Sequence, residues 1–370
     1  MNSPAPENFL ERVYSVFVAG DPRIADRLEK VTFNALPATI SNDMWSHQYD
    51  QQPNQIACTR APRQWSTNND DSNLFGLEPN FGCCTANLHQ GWPKFVSSLW
   101  MATGDNGLLA SAYAPNQVRT QVNGVDVRIE ENTEYPFRNT VRFTLHPAQP
   151  VTFGLHLRLP GWAKGATVAV NGQSSELPQG SCRLIEGNSP QQTSCNFAQS
   201  FHTISRNWKE GDTVSLTFQT EPRVTHWYHD AAVFEWGPLV FSLPIEAQWT
   251  ELKHYAQRSS DWQLQPKSDW NYAVALGPCD ARMAEGSSSD VPFDVKHPAI
   301  TMRVQARQLP QWTVQENSAG PVPLSPVNSK SLWQELTLVP YGAAKLRITA
   351  FPYLREKSKC QPASATAGGL

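Results

Sequence analysis

The 370-residue sequence is poor in charge and has no long apolar run. Charged residues make up 17% of the chain and the formal net charge is −3, so the composition indicates no nucleic-acid or polyanion partner. No stretch of about 18 consecutive apolar residues occurs, so neither a transmembrane helix nor a membrane partner is predicted. Residues 1–8 lack the basic and apolar regions of a secretory signal peptide, which leaves the localisation open.

Cysteine is also scarce, with seven residues, so at least one is unpaired within a single chain. Cys182 and Cys195 flank a polar stretch and could form a disulfide in an oxidising compartment. The most informative pair is Cys83 and Cys84. Neighbouring cysteines are poorly placed to bond each other, but two adjacent thiolates form half of a site for a soft metal ion.

An apolar pattern with helical spacing follows this cysteine pair and predicts a helix that runs to about Thr103. Its members are Leu88, Trp92, Phe95, Val96, Leu99 and Trp100. The thiols would lie at the N-terminus of the helix, where the macrodipole lowers the pKa of a thiol. Cys83 or Cys84 is therefore a candidate nucleophile, a candidate metal ligand, or both.

Helices are predicted in the N-terminal part of the chain. Residues 9–17 carry one apolar stripe, and Asp21 followed by Pro22 marks the start of a second helix that ends near Leu36–Pro37. Residues 38–82 are polar and irregular, which is typical of a functional or disordered segment.

The rest of the chain is predicted to be β. In residues 153–159, leucine and phenylalanine alternate with other residues, as in a half-buried strand. Asn171 and Gly172 predict a hairpin turn. Short strands at this spacing favour a β-sandwich, and a second β-rich block begins near Ala231.

Four segments, taken in chain order, resemble glycoside hydrolases of family 127, the β-L-arabinofuranosidase group. They are Asp43–Gln52, Phe81–Asn87, Leu157–Ala163 and Gly237–Val240. The Cys-Cys-x-x-Asn string and the Pro-Gly-Trp string that ends a strand make the resemblance specific. It covers about residues 9–355.

The resemblance implies an α + β multidomain fold, in which the C-terminal remnant of an (α/α)6 barrel is followed by two β-sandwich domains. The implied limits are 1–113 for the partial barrel with the Cys-Cys motif, 114–225 and 226–357 for the sandwiches, and 358–370 for a disordered tail.

The same resemblance implies the chemistry of a zinc-dependent retaining glycosidase. Cys83 is then the nucleophile and a zinc ligand, and Cys84 is a second ligand. The family draws two further ligands from a Glu-x-Cys motif, and its general acid/base is a separate Glu. No Glu-x-Cys string occurs in this sequence, so the implied site is incomplete, with two of four ligands and no acid/base.

Other residues are candidates for supporting roles. His47, Gln48 and Tyr49 are predicted to bind sugar hydroxyl groups, together with Trp92 from the helix. The partner implied is an arabinose-containing or related plant-type glycan. Cys58 is either a third metal ligand or a buried free thiol. Glu78 is either a ligand or acid, or a solvated loop carboxylate.

Two other functions stay open. The first is an inactive carbohydrate-binding or structural remnant, and the second is a thiol-redox or metal-storage role for the cysteine pair. The aromatic and histidine cluster at residues 226–230 is typical of either a metal or sugar site or a covered surface between domains. A homodimer is an open alternative for the assembly.

Overall fold

A computed structural model describes residues 21–77, 82–178, 183–184, 193–194, 201–277, 281–286 and 290–356. The predicted helix at 9–17, the Cys182 and Cys195 pair that could form a disulfide, Glu78 and the tail lie outside these ranges. The chain forms two compact units that alternate along the sequence. Among the described residues, unit 1 comprises those in 34–88 and 222–356, and unit 2 comprises those in 21–33 and 89–221. The predicted domain limits stay a prediction.

The first described helix, α1 (Pro22–Lys30), begins where the sequence predicts. The Asp21 carboxylate accepts a hydrogen bond from the backbone N–H of Arg23 at 2.9 Å, and Pro22 occupies the first turn. A π-helical turn (Val31–Ala35) and α2 (Leu36–Ala38) continue the helix, so its end also agrees with the prediction.

The cysteine pair lies on a short helix, α3 (Gly82–Leu88), which is followed by α4 (Gly91–Val96). The predicted continuous helix to Thr103 is wrong. The hydroxyl groups of Ser97 and Ser98 donate to the Lys94 carbonyl and compete with the helical backbone, and a strand begins at Trp100. The apolar pattern therefore spans two helices and a strand.

The chain is mostly β. Its first strands are β1 (His47–Gln48), β2 (Phe75–Gly76), β3 (Trp100–Ala102), β4 (Leu108–Ala110), β5 (Asn116–Val122), β6 (Val125–Thr133), β7 (Thr140–Pro147), β8 (Val151–Arg158), β9 (Gly165–Val170), β10 (Gln173–Pro178), β11 (Arg183–Leu184), β12 (Thr193–Ser194), β13 (Phe201–Trp208) and β14 (Asp212–Gln219).

The second β-rich block begins near the predicted position. Its strands are β15 (Arg223–His226), β16 (Ala232–Trp236), β17 (Leu239–Pro244), β18 (Ala247–His254), β19 (Ser260–Pro266), β20 (Tyr272–Val274), β21 (Ala281–Glu285), β22 (Ile300–Gln308), β23 (Val314–Gln315), β24 (Ser318–Ala319), β25 (Trp333–Pro340) and β26 (Arg347–Ile348).

Unit 2 contains two main sheets, with strand orders β10-β9-β14-β7-β6-β5 and β13-β8-β4-β3. Alternate residues of β8 are buried, as predicted, although Gly154 and Arg158 on the other side of the strand are buried as well. Asn171 and Gly172 have φ of 48° and 81° and form the predicted turn between β9 and β10. The rings of Trp100 and Phe143, from different sheets, meet edge to face with centroids 5.8 Å apart.

Unit 1 contains a larger sheet with the strand path β15-β16-β17-β25-β22-β20. A second sheet, in the order β1-β2-β19-β18, joins the β18–β19 hairpin to the segment that precedes the cysteine helix, where Trp262 pairs with Phe75. Among the residues that the structure describes, no helix has the length and apolarity needed to span a membrane.

Candidate functional site

The candidate site is built around two adjacent thiols in the first turn of α3. The Sγ atoms of Cys83 and Cys84 are 3.5 Å apart; Cys83 is exposed and Cys84 is half-buried. The side-chain amide of Asn87 donates to the Cys83 carbonyl at 2.7 Å and ties the first turn to the second. Cys83 is therefore the thiol that a molecule from solvent can reach.

The electrostatic environment of Cys84 favours the protonated thiol. Burial, the hydrogen bond with Cys83, and the negative charges of Cys83 and Asp50 raise the pKa of Cys84 to about 12. The sequence-based expectation that the helix macrodipole lowers the pKa is therefore wrong for Cys84. Two thiolates side by side would need a cation between them.

Asp50 is a nearby carboxylate that sequence reasoning missed. Its Oδ2 atom accepts hydrogen bonds from the Ser66 hydroxyl at 2.6 Å and from the Asn68 amide at 2.9 Å. These bonds fix the orientation of the carboxylate. In the sequence, Asp50 is one acidic residue in a long polar segment, and nothing there distinguishes it from Asp43 or Asp71.

Cys58 has no exposed surface and lies in a different environment from the pair. The Gln48 amide nitrogen is 3.2 Å from its Sγ atom, and burial raises the pKa of Cys58 to about 12 although Arg347 and Arg63 oppose the shift. Within the described ranges, no group of three His, Cys, Asp or Glu side chains is placed to hold a metal ion. The structure thus gives Cys58 the environment of a buried free thiol.

The geometry of the pair fits one edge of a tetrahedral zinc site. With Zn–S bonds of about 2.3 Å, two sulfur ligands of a tetrahedral ion lie about 3.8 Å apart. The observed Sγ–Sγ separation of 3.5 Å is close to that value. The described residues therefore fit zinc as two ligands, Cys83 and Cys84.

The polar segment predicted to bind sugar is strongly hydrogen-bonded within unit 1. The Gln48 and Gln55 amides donate to each other's carbonyl oxygen at 3.1 Å, and the Gln48 amide also donates to the Asn73 carbonyl at 2.8 Å. Gln55 in turn donates to the Lys345 carbonyl at 2.8 Å. Gln48 is only 3% exposed, so this geometry gives it an internal role; its role as a sugar contact stays a prediction.

Two further side chains of the segment accept hydrogen bonds from the C-terminal part of unit 1. Asn54 accepts from the backbone N–H groups of Thr349 and Ala350, both at 2.9 Å. Gln51 accepts from the Arg347 guanidinium at 2.9 Å. The segment is consequently tied to residues 345–350, almost 300 positions later in the chain.

The remaining predicted sugar contacts are distributed over both units. His47 is buried and pairs with Gly76 in unit 1, whereas Tyr49 beside it is half-buried. Trp92 lies on α4 in unit 2, half-buried, with its ring 6.4 Å from that of Phe95 in an edge-to-face contact. Their roles toward a sugar stay predictions.

Comparisons with known proteins agree with the resemblance seen in the sequence. Residues 107–220 match the family model described as "Beta-L-arabinofuranosidase, GH127 middle domain". No curated protein matches the sequence. The resemblance to glycoside hydrolase family 127 is thus confirmed, and the matched segment begins at β4 and ends just after β14.

Three solved structures share the fold. One is titled "Glycoside hydrolase" (19% identity, TM-score 0.64, covering 94% of this chain and 51% of that one). A family 127 β-L-arabinofuranosidase from Geobacillus stearothermophilus T6 has 19% identity and a TM-score of 0.59, with coverages of 90% and 46%. A family 127 β-arabinofuranosidase has 18% identity and a TM-score of 0.61, with coverages of 94% and 48%. The chain therefore spans about half the length of these structures.

Proposed function

We propose that this chain carries part of the active site of a zinc-dependent retaining glycoside hydrolase that acts on β-L-arabinofuranosyl or related pentose linkages. One observation carries the proposal: an exposed thiol, Cys83, lies 3.5 Å from a second thiol in a chain that matches a family 127 domain. Within this proposal the N-terminal helices are a barrel remnant. The sheets form two β-sandwiches, which the Trp100–Phe143 contact between two sheets supports.

Cys83 is the nucleophile in this mechanism. Its thiolate attacks the anomeric carbon, the glycosidic C–O bond breaks, and the leaving oxygen takes a proton from a general acid. Water then attacks the anomeric carbon of the thioglycosyl intermediate and gives a proton to the group that acted as general acid. The C–S bond breaks, the Cys83 thiolate leaves, and the sugar regains its original configuration. Cys84 holds its sulfur beside Cys83 as a zinc ligand. Cys83 and Cys84 would hold the zinc ion, whose positive charge would keep both sulfur atoms deprotonated at neutral pH. We assign no residue of this chain to the acid/base role.

Metal content and hydrolysis test the proposal together. We expect the purified wild-type chain to bind about one zinc ion through Cys83 and Cys84, and Cys83→Ser and Cys84→Ser to lose it. Cys58→Ala is the matched control, because this thiol hydrogen-bonds within the polar segment. Arabinose release from an aryl β-L-arabinofuranoside should be lost in Cys83→Ser and kept in Cys58→Ala. Zinc retained by both serine variants would exclude this site.

A second candidate is a carbohydrate-binding or structural protein without catalysis. It is favoured by the absence of a three-ligand cluster from the part of the chain that the structure describes. In that case the wild-type chain would contain no zinc and release no arabinose, and the Cys83→Ser variant would bind glycans as well as the wild type does.

A further inference from the structure

The turn between β15 and β16 in unit 1 presents two aromatic side chains to solvent. Tyr228 is 61% exposed and Trp227 is 37% exposed. The Tyr228 ring stacks on the His229 imidazole, with centroids 3.8 Å apart and planes inclined by 22°. His229 therefore supports one face of the tyrosine ring, and the exposed area of Tyr228 is available to a ligand.

The turn is held in place by three side-chain contacts. The imidazole Nδ1 of His229 is 2.6 Å from the Val322 carbonyl oxygen. Asp230 accepts a hydrogen bond from the Tyr353 hydroxyl at 2.6 Å and pairs with His226 Nδ1 at 2.9 Å. The exposed rings therefore extend from a turn that hydrogen bonds and an ion pair hold in place.

This arrangement requires an unfavourable backbone. His229 and Asp230 have φ of 57° and 56°, in the left-handed region that few non-glycine residues adopt, although histidine and aspartate do so more often than most. Two consecutive strained residues persist only where the surroundings hold them, and such strain concentrates at binding sites. Glycine at either position would relax the turn but remove the imidazole or the carboxylate.

The chemistry of the surface suits a sugar ring. One face of a sugar carries C–H groups that pack on an aromatic ring, and its edge carries hydroxyl groups. The side chains of His226 and Asp230 beside the rings keep 44% and 47% of their surface exposed and can bind hydroxyl groups. The carboxylate disfavours an anionic polymer.

We propose that Trp227 and Tyr228, flanked by His226 and Asp230, form a binding platform for a neutral glycan chain. The choice of a pentose-containing glycan rests on the proposed function; the platform itself does not. The platform shares no residue with the cysteine site, and it would hold a polymeric substrate on unit 1. Sugars too short to reach the platform would gain no affinity from it.

Affinity electrophoresis in gels containing soluble arabinan tests the platform. We expect Tyr228→Ala and Trp227→Ala each to raise the apparent Kd for arabinan about tenfold. Tyr228→Phe keeps the ring, so its apparent Kd should stay within about twofold of the wild-type value. Tyr255→Ala is the matched control because Tyr255 is a 40% exposed tyrosine of the same unit outside the turn. Polygalacturonate gels should retard the wild type less than arabinan gels do.

Two results would overturn the platform. The first is equal retardation of the wild type and both alanine variants. The second is a dimer that the alanine variants dissociate, with no glycan retardation, which would assign the turn to contact with a second copy. Trp227→Phe and thermal melting guard against misfolded alanine variants. Cys83→Ser should retain arabinan binding and lose aryl-arabinoside hydrolysis, so failure of the platform and failure of the catalytic proposal are distinguishable.

Discussion

Each unit has, among its described residues, an arginine that is completely buried, and the two charges are compensated in different ways. Arg158 in unit 2 and Arg347 in unit 1 both have no exposed surface. Arg158 forms ion pairs with Asp26 and Glu29. None of the ion pairs among the described residues includes Arg347; its partners there are neutral. Burying a guanidinium is costly whether its partners are carboxylates or neutral groups. Removing it leaves a buried carboxylate unpaired only in the first case.

Around Arg158 the compensation is ionic. Its Nη2 atom is 2.6 Å from Glu29 Oε1, and the Tyr135 hydroxyl donates to Glu29 Oε2 at 2.6 Å. Burial alone would lower the pKa of Arg158, but the carboxylates of Glu29 and Asp26 raise it above its ordinary value. The cluster joins α1 to β8, so it connects the helical and β parts of unit 2.

Around Arg347 the compensation comes from dipoles. Its Nη2 atom donates to Gln51 Oε1 at 2.9 Å and to the Tyr341 hydroxyl at 2.7 Å, and Nη1 donates to the Ala344 carbonyl at 2.9 Å. The guanidinium carbon also lies 4.1 Å from the centroid of the Tyr341 ring. Because Gln51 belongs to the polar segment, this arginine fixes the segment that precedes the cysteine helix. Carboxylates therefore compensate the charge of Arg158 in unit 2, whereas amide, hydroxyl and carbonyl oxygens compensate the charge of Arg347 in unit 1.

The largest expected effect is that of Arg158→Met. The variant leaves Glu29 buried without its cation, which costs about 3–5 kcal/mol in the free energy of unfolding. Urea titration followed by hydrogen exchange of unit 2 peptides measures the loss. Arg119→Met, at an exposed position of the same unit, should change the free energy by less than about 0.5 kcal/mol. A loss no greater than that of Arg347→Met would contradict the comparison.

A smaller loss is expected for Arg347→Met, about 1–3 kcal/mol. The Gln51 and Tyr341 oxygens lose a donor, but no buried carboxylate is left unpaired among the residues described. The polar segment should show faster hydrogen exchange at residues 47–58 than in the wild type. Arg303→Met, at an exposed position of unit 1, is the control. Unchanged exchange in the segment would show that Arg347 does not organise it.

The pH dependence of unit 2 provides a third test through Glu131, which is 2% exposed. Burial raises its pKa from 4.5 to about 8, although the Asn116 amide and the Ala114 N–H favour the carboxylate. The folded state therefore binds more protons than the unfolded state between these values, so the free energy of unfolding falls as pH rises from about 5 to 8, by at most about 1.4 kcal/mol per pH unit. Glu131→Gln should flatten this slope, and Glu130→Gln should not. An unchanged slope in Glu131→Gln would contradict the assignment.

Local signals were enough to predict much of the fold. Asp21 and Pro22 start a helix, and Asn171 and Gly172 form a turn, because each depends only on neighbouring residues. The helix predicted to Thr103 failed because apolar spacing does not distinguish a helix from the buried side of a strand that follows it.

The candidate site was predictable only in its cysteine pair. Cys83 and Cys84 are adjacent in sequence, so their proximity needs no fold. The bond between Arg347 and Gln51 joins residues 296 positions apart, and no local pattern indicates it. The same amide groups are suited to bind either sugar hydroxyls or the backbone, and only the fold shows that Gln48 and Gln55 bind each other.

The smallest expected effect is that of Lys345 on the pH dependence of unit 1. Burial and the nearby Arg347 charge lower its pKa from 10.5 to about 7, and its ammonium donates to the Pro37 carbonyl at 2.8 Å. The unfolded state binds more protons between these values, so the free energy of unfolding should rise with pH above 7, opposite to the slope from Glu131. Lys345→Met should remove the rise, and Lys267→Met, at an exposed position, should keep it. Lys345 retains some exposed surface, so solvent screens the charges and the rise should be shallow. A fall in unit 1 stability over this range would mean that a carboxylate compensates the two cations after all, and the contrast between the units would not hold.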